Sequence, residues 1–273
     1  MKKLIKIELI KILNYRPFQI LIILYIVAIS LGLVIYPLID RQIPMISLSD
    51  LFRFPHVWTF MTWITEPYNI VLGLMVIMIT TTEFNNHTFK TQVIFGLSRN
   101  ELITQKLVLI VLLAIFATLL NGITSLLLGL THSYKITFAI AMENVEMMGR
   151  YFLCSLSYMI YGLFFGLIIK NTALSLMGYL GYRTFFEPLL FAIFLDKKFE
   201  FEWYFPMRVT TRLTPLPNLV QIFMNKMDGG SGEDIENNFP KGLPVWLTIL
   251  LAVVYGGLII FFSYRLMRKK RLT

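Results

Sequence analysis

Six long runs of apolar residues, spaced along almost the whole chain, constrain this sequence more than any motif in it. They extend approximately from Phe18 to Ile39, Tyr68 to Phe84, Leu102 to Leu130, Tyr151 to Ile169, Thr172 to Leu195 and Pro244 to Tyr264. A bilayer core about 30 Å thick is crossed by roughly 20 apolar residues in a helix. Lipid offers no partner to a backbone amide, so a single spanning segment has to satisfy its own hydrogen bonds, as an α-helix does. The expectation is an all-α integral membrane protein with six transmembrane helices, built as one domain over residues 1–273. Composition agrees, since 56% of the 273 residues are hydrophobic and 15% are charged, too apolar for a water-soluble enzyme.

The same reading removes several function classes. Cys154 is the one cysteine, so no intrachain disulfide forms and dithiol chemistry has no basis. His56, His87 and His132 fall in different segments and make no zinc-protease pair. A net charge of +9 would suit nucleic acid, but the lysines and arginines flank the apolar runs instead of forming a soluble basic face. No nucleic-acid partner is expected; membrane lipid is.

Lys2, Lys3, Lys6, Lys11 and Arg16 precede the first run, which is too long for the core of a signal peptide and lacks a small-x-small cleavage site. It reads as an uncleaved first helix behind a cytoplasmic elbow, residues 1–17. With that end inside, six crossings also leave the C-terminus inside. Fourteen of the 25 basic residues then lie on the inner side, against Glu8, Glu83 and Glu101 of the 16 acidic ones. That asymmetry follows the positive-inside rule and assigns a multi-pass protein of the cytoplasmic membrane. Trp58, Trp63, Trp203 and Trp246 all fall on the outer side, either as headgroup anchors or as ordinary packing residues.

Two outer loops differ in kind. Asp40 to Pro67 is rich in aromatic residues and is expected to lie along the outer interface. The other, residues 196–243, carries Pro206, Pro215 and Pro217 and the tract Asp228-Gly-Gly-Ser-Gly-Glu-Asp. Its glycines argue against regular structure, leaving a solvated linker or a weak cation loop as readings.

The inner connection over residues 83–101 is the most informative polar stretch. It begins Glu83-Phe-Asn-Asn-His-Thr88-Phe-Lys90 and continues Gly96-Leu-Ser98-Arg99-Asn-Glu101, with Lys106 in the next run. The following run of 29 residues would be about 43 Å long as a helix, more than a bilayer needs. The surplus can carry the connection out as a knob for a soluble partner, or the connection is a simple solvated turn. Deeper in the chain, Arg183 and Glu187 are four apart, and intramembrane charges face a partner or a cavity. Pro188 frees the carbonyl of Thr184 and is expected to bend or end the helix. The pair reads either as a polar pivot or substrate contact, or as an ion pair that satisfies itself at a kink. Gly162 and Gly166 have the spacing for close helix packing, within the chain more than at a dimer seam, and Asn121 is expected to bond to a neighbouring helix.

Glu83, Thr88, Lys90, Ser98, Arg99 and Lys106, in that order after the second apolar run, resemble the permease subunits of ABC-2 type transporters, the type V ABC exporters. Ile7-Glu8-Leu9-Ile10-Lys11 with Arg16 is similar to the elbow helix that opens such permeases, and Pro215-Leu-Pro217-Asn218 is similar to their outer segment. The resemblance implies a permease whose six ATPase-coupling residues grip a separate nucleotide-binding subunit. It also implies pairing with a second copy or a paralogue, and export more than import. The chain has no G-x-x-x-x-G-K-[ST] loop, so ATP and magnesium belong to the partner ATPase and no cofactor is expected here. It is read as a transport protein and not a catalyst. An ion-coupled secondary transporter or channel and a non-transporting scaffold remain the competing readings.

Overall fold

A computed structural model describes residues 10–40, 51–134, 136–194, 203–217 and 243–269. All regular structure among them is helical. The elements are α1 (Arg16–Asp40), α2 (His56–Thr65), a 3-10 turn (Glu66–Tyr68), α3 (Asn69–Asn85), α4 (Thr88–Ile94), α5 (Arg99–His132), α6 (Phe138–Met142) and α7 (Glu146–Ile169). They continue as α8 (Thr172–Gly181), a π-helical turn (Tyr182–Phe186), α9 (Glu187–Phe194), α10 (Pro206–Arg212) and α11 (Val245–Lys269). Four stretches are long and apolar enough to cross a membrane: His56–Asn85, Arg99–His132, Phe138–Ile169 and Val245–Arg268. The first apolar run forms α1, and the fifth is a helix broken by the π turn.

The second of the expected spans starts earlier than hydropathy indicates. α2 runs almost head-to-tail into α3, because Pro67 has no amide to donate and the chain tightens into the 3-10 turn at that point. The aromatic segment expected to lie flat on the outer interface is instead folded into the protein's end. Phe52, Phe54, Trp58 and Phe60 are buried with Leu128 of α5 and Met147 of α7. The Trp58 indole donates to the carbonyl of Ala141 at 2.9 Å. Large rings gain most where they are enclosed and their single polar atom is satisfied. Of the four tryptophans, Trp58 and Trp203 are packing residues and Trp246 is exposed.

α3 and α7 form the most intimate pair, and small residues explain why. A Cβ on Gly162 would stand 2.5 Å from the carbonyl oxygen of Gly73, and one on Gly166 would stand 3.2 Å from Cβ of Thr80. The Gly162 and Gly166 pair is therefore spent on packing within the chain, where helices lacking a hydrophobic drive in lipid gain from close approach. Polar side chains join the same seam. Asn69 Oδ1 accepts from Ser155 at 2.9 Å and from Tyr25 at 3.4 Å, and Tyr25 meets the Tyr151 hydroxyl at 3.1 Å. As expected, Asn121 reaches a neighbouring helix, donating to Thr65.

Hydrogen bonds gather alternate helix termini at each end. At one end, Arg99 donates to the carbonyls of Met267 and Arg268 at 3.1 and 3.0 Å, closing the last turn of α11. Asn85 donates to Thr172 at 3.3 Å, and Lys11 and Lys106 converge on Glu83. At the other end, the Phe54 amide donates to Ser133 at 3.0 Å and Arg150 reaches the Arg212 carbonyl at 3.4 Å. The first end includes Lys11, Arg16, Lys90, Arg99, Lys106, Lys170, Arg265 and Arg268 with Glu83 and Glu101 among its described residues. Its basic excess is a property of the fold.

Candidate functional site

At the basic end the chain leaves α3 through His87, whose φ of 54° is left-handed, and leaves α4 through Gly96 at φ 94°. Gly96 suits a backbone that a Cβ would strain. Between these turns α4 is anchored by one buried residue, Phe89, whose ring is 4.7 Å from that of Phe84.

The six residues singled out from the sequence separate sharply. Glu83 is 2% exposed and Lys106 3%, and the Lys106 ammonium is 2.5 Å from Glu83 Oε1. Lys11 donates to the same oxygen, so the residues just before α1 are tied to α3 and α5. Glu83 Oε2 has no hydrogen-bond partner among the described residues. Ser98 accepts from the Glu101 amide at 3.3 Å and its own amide donates to the Glu101 carboxylate at 2.8 Å, a reciprocal cap that starts α5. The Glu101 side chain is itself exposed, so the cap is made at the surface. Arg99 is engaged with α11. Four of the six thus hold the elbow in shape from within.

What the elbow presents outward is Lys90, part of Thr88, and a tip that the sequence reading passed over. Ile94 is 76% exposed and Phe95 84%. Two large apolar residues inside a polar connection were the available signal. The segment Ile7 to Leu9, Asn218 and the Asp228 tract lie outside the described residues.

A second constellation lies toward the far end, a helix length of about 25 Å along α3 from Glu83. A cavity of about 390 Å³ is lined by Arg183, Glu187 and Pro188 as well as Glu66, Arg208 and Arg212. An ion pair between Arg183 and Glu187, one of the two readings of their spacing, is not what forms among the described residues. Arg183 bonds to Glu66 at 3.3 Å, and Tyr158 donates to the same carboxylate oxygen. Glu187 accepts the Met207 amide at 2.8 Å. Each charge has found a partner on another element, which spacing along one helix cannot reveal. Pro188 does not end the helix either: the π turn widens just before it, with the Glu187 amide bonded to Tyr182, and α9 resumes. Glu66 was placed in an outer loop by hydropathy; the Pro67 turn rotates it into the bundle beside Thr65 and Asn69, all three buried.

These features define a helical protein with spans suited to a membrane, an apolar-tipped elbow at its basic end and a charged cavity near the other. No known protein family matches the chain by sequence, and no curated protein matches it significantly. Among the described residues no cluster of histidine, cysteine or carboxylates could hold a metal ion.

Proposed function

We propose that this chain is the permease subunit of an ABC-2 type exporter, with six crossings and the basic end in the cytoplasm. The charge asymmetry between the two ends supports that orientation. The observation that carries the reading is the elbow: a short helix joining α3 to α5 beside the Lys11, Glu83 and Lys106 cluster, with Ile94 and Phe95 exposed at its tip. An apolar pair beside Lys90 is the kind of knob that a groove in a soluble ATPase would enclose. Because Glu83 and Lys106 are buried, their part is to transmit force from the elbow into α3, α5 and the residues leading to α1, while Lys90, Thr88, Ile94 and Phe95 make contact. ATP and magnesium sit on the partner, and a second copy or a paralogue completes the path through the inner membrane.

The test is whether a Walker-A ATPase copurifies with this chain and reconstitutes with it. A photo-crosslinker at Phe95 should capture the ATPase, and Phe95→Asp should abolish complex formation while leaving the unfolding midpoint unchanged. An intact, active complex with Phe95→Asp would refute the elbow as the docking point. A second reading, an ion-coupled carrier, draws on the Glu66 and Arg183 pair beside the cavity. Ion-dependent flux through the chain alone in liposomes would favour it.

A further inference from the structure

At the basic end, the last turns of α11 and the first turn of α5 flank a groove of about 500 Å³ lined by Asn100, Phe261, Tyr264, Arg265 and Arg268. Two bonds fix its walls. The Tyr264 hydroxyl meets that of Thr104 at 2.9 Å, and Arg268 Nε donates to Asn100 Oδ1 at 3.1 Å. That bond uses one of the five donors of the Arg268 guanidinium. Arg265 is exposed and makes no hydrogen bond or ion pair among the described residues. No carboxylate lines the groove, and Glu101, next to Asn100 in the chain, is turned to Ser98. The lining therefore carries two positive charges with no counter-ion against them among the described residues.

The helix surface leading up to those charges is apolar. Leu250, Val254, Leu258 and Phe261 share the face of α11 that ends in Arg265 and Arg268, and each of the four is between 45% and 59% exposed. From Val254 to Arg265 the helix rises about 16 Å, close to half the thickness of a bilayer core. Arginines three residues apart on one helix face are neighbours and can grip one phosphate through paired N–H bonds. An apolar stripe of that length beneath two unmatched guanidinium groups follows the outline of a lipid in one leaflet, with a chain along the helix and an anion at its end.

We infer that this groove holds an anionic phospholipid of the leaflet at the basic end, its phosphate between Arg265 and Arg268 and an acyl chain along Phe261, Leu258 and Val254. Charge selects the occupant. A zwitterionic headgroup brings its own ammonium toward the arginines, and a purely apolar partner leaves both of them unmatched. The Tyr264 ring lies at the boundary between the two parts, where aromatic residues settle in membranes. The site uses neither the elbow tip nor the cavity at the far end, so its failure and the failure of ATPase docking at Phe95 are separate results.

The experiment is native mass spectrometry of the delipidated full chain in detergent, titrated with dioleoyl-phosphatidylglycerol and, separately, with dioleoyl-phosphatidylcholine. A phosphatidylglycerol should be retained on each chain at concentrations where phosphatidylcholine is not. Arg265→Gln removes no contact within the described protein, so it should fold as the parent does and weaken retention by about fivefold, the effect of one basic residue at an anionic surface. Arg268→Gln should weaken it at least as much. Arg16→Gln, which neutralises an exposed charge of the same end outside the groove, should bind as the parent does. Glycerophosphoglycerol, the headgroup without its chains, should not displace the lipid. Equal retention of phosphatidylcholine, an equal loss in Arg16→Gln, or displacement by the free headgroup would overturn the proposal. So would a change of oligomeric mass in Arg265→Gln with lipid retention unaltered, which would make this face a seam between copies of the chain.

Discussion

Replacing Glu83 by glutamine leaves two ammonium groups facing a neutral amide, one of them enclosed. The Lys106 side chain is 4% exposed and that of Lys11 35%. Breaking a buried ion pair by removing one partner costs about 3–5 kcal/mol, because the remaining charge is stranded. A pair open to solvent contributes about 0.2–1 kcal/mol. The cluster should therefore rank in a definite order: Glu83→Gln costs most, Lys106→Met somewhat less because Lys11 still matches Glu83, and Lys11→Ala least. With roughly 2–4 °C of midpoint per kcal/mol in chains approaching this size, Glu83→Gln should lower the apparent midpoint by on the order of 10 °C. The assay is heating of detergent-solubilised protein followed by size-exclusion of the surviving monodisperse fraction. The double variant Glu83→Gln with Lys106→Met should lie well short of the summed losses, since it removes the charge that the single variant strands. Additive losses, or a Lys11→Ala loss equal to that of Lys106→Met, would refute the reasoning that burial and not mere proximity gives the cluster its weight.

Other outcomes follow from the packing. Gly162→Ala should prevent recovery of folded protein, as its Cβ meets the Gly73 carbonyl, whereas Gly257→Ala, with nothing within 4 Å, should be recovered at parental yield. Ser98→Ala should speed hydrogen exchange of the Glu101 amide by about fivefold, the value of a lost N-cap, without affecting α7. Arg99→Ala should raise exchange in the last turn of α11, where it holds the carbonyls of Met267 and Arg268. Glu66→Gln should weaken the hold on Arg183 and increase trypsin cleavage after Arg183 in nanodiscs; unchanged cleavage would mean that the Tyr158 ring, 5.5 Å from Arg183, is the stronger constraint.

Hydropathy was enough to mark the long apolar helices, since a chain that must close its backbone hydrogen bonds in lipid has few alternatives. It misplaced the start of the second stretch. α2 is separated from α3 by the turn at Pro67, and α2 with that turn carries Thr59, Thr62, Thr65 and Glu66, which dilute a hydropathy signal although three of the four are buried. Glu66 was thereby read as a loop residue and its partnership with Arg183 was invisible, the two being 117 positions apart.

The elbow was legible as a location and not as a surface. Alternation of polar and basic residues marked residues 83–101, and the Ser98 and Glu101 spacing already encoded the cap that starts α5. Which of those residues face outward depends on how α3, α5 and the residues before α1 pack. A carboxylate at a helix end is drawn inward when two lysines from other segments meet it, and that lowers the cost of burying it with Lys106. Sequence alone thus determined the material of the protein: helices, their apolar lengths and the basic flanks that set one end against the other. Tertiary structure decided the pairing of its charges, because a buried charge is tolerated only beside its counterpart, and that counterpart comes from whichever element the fold brings near.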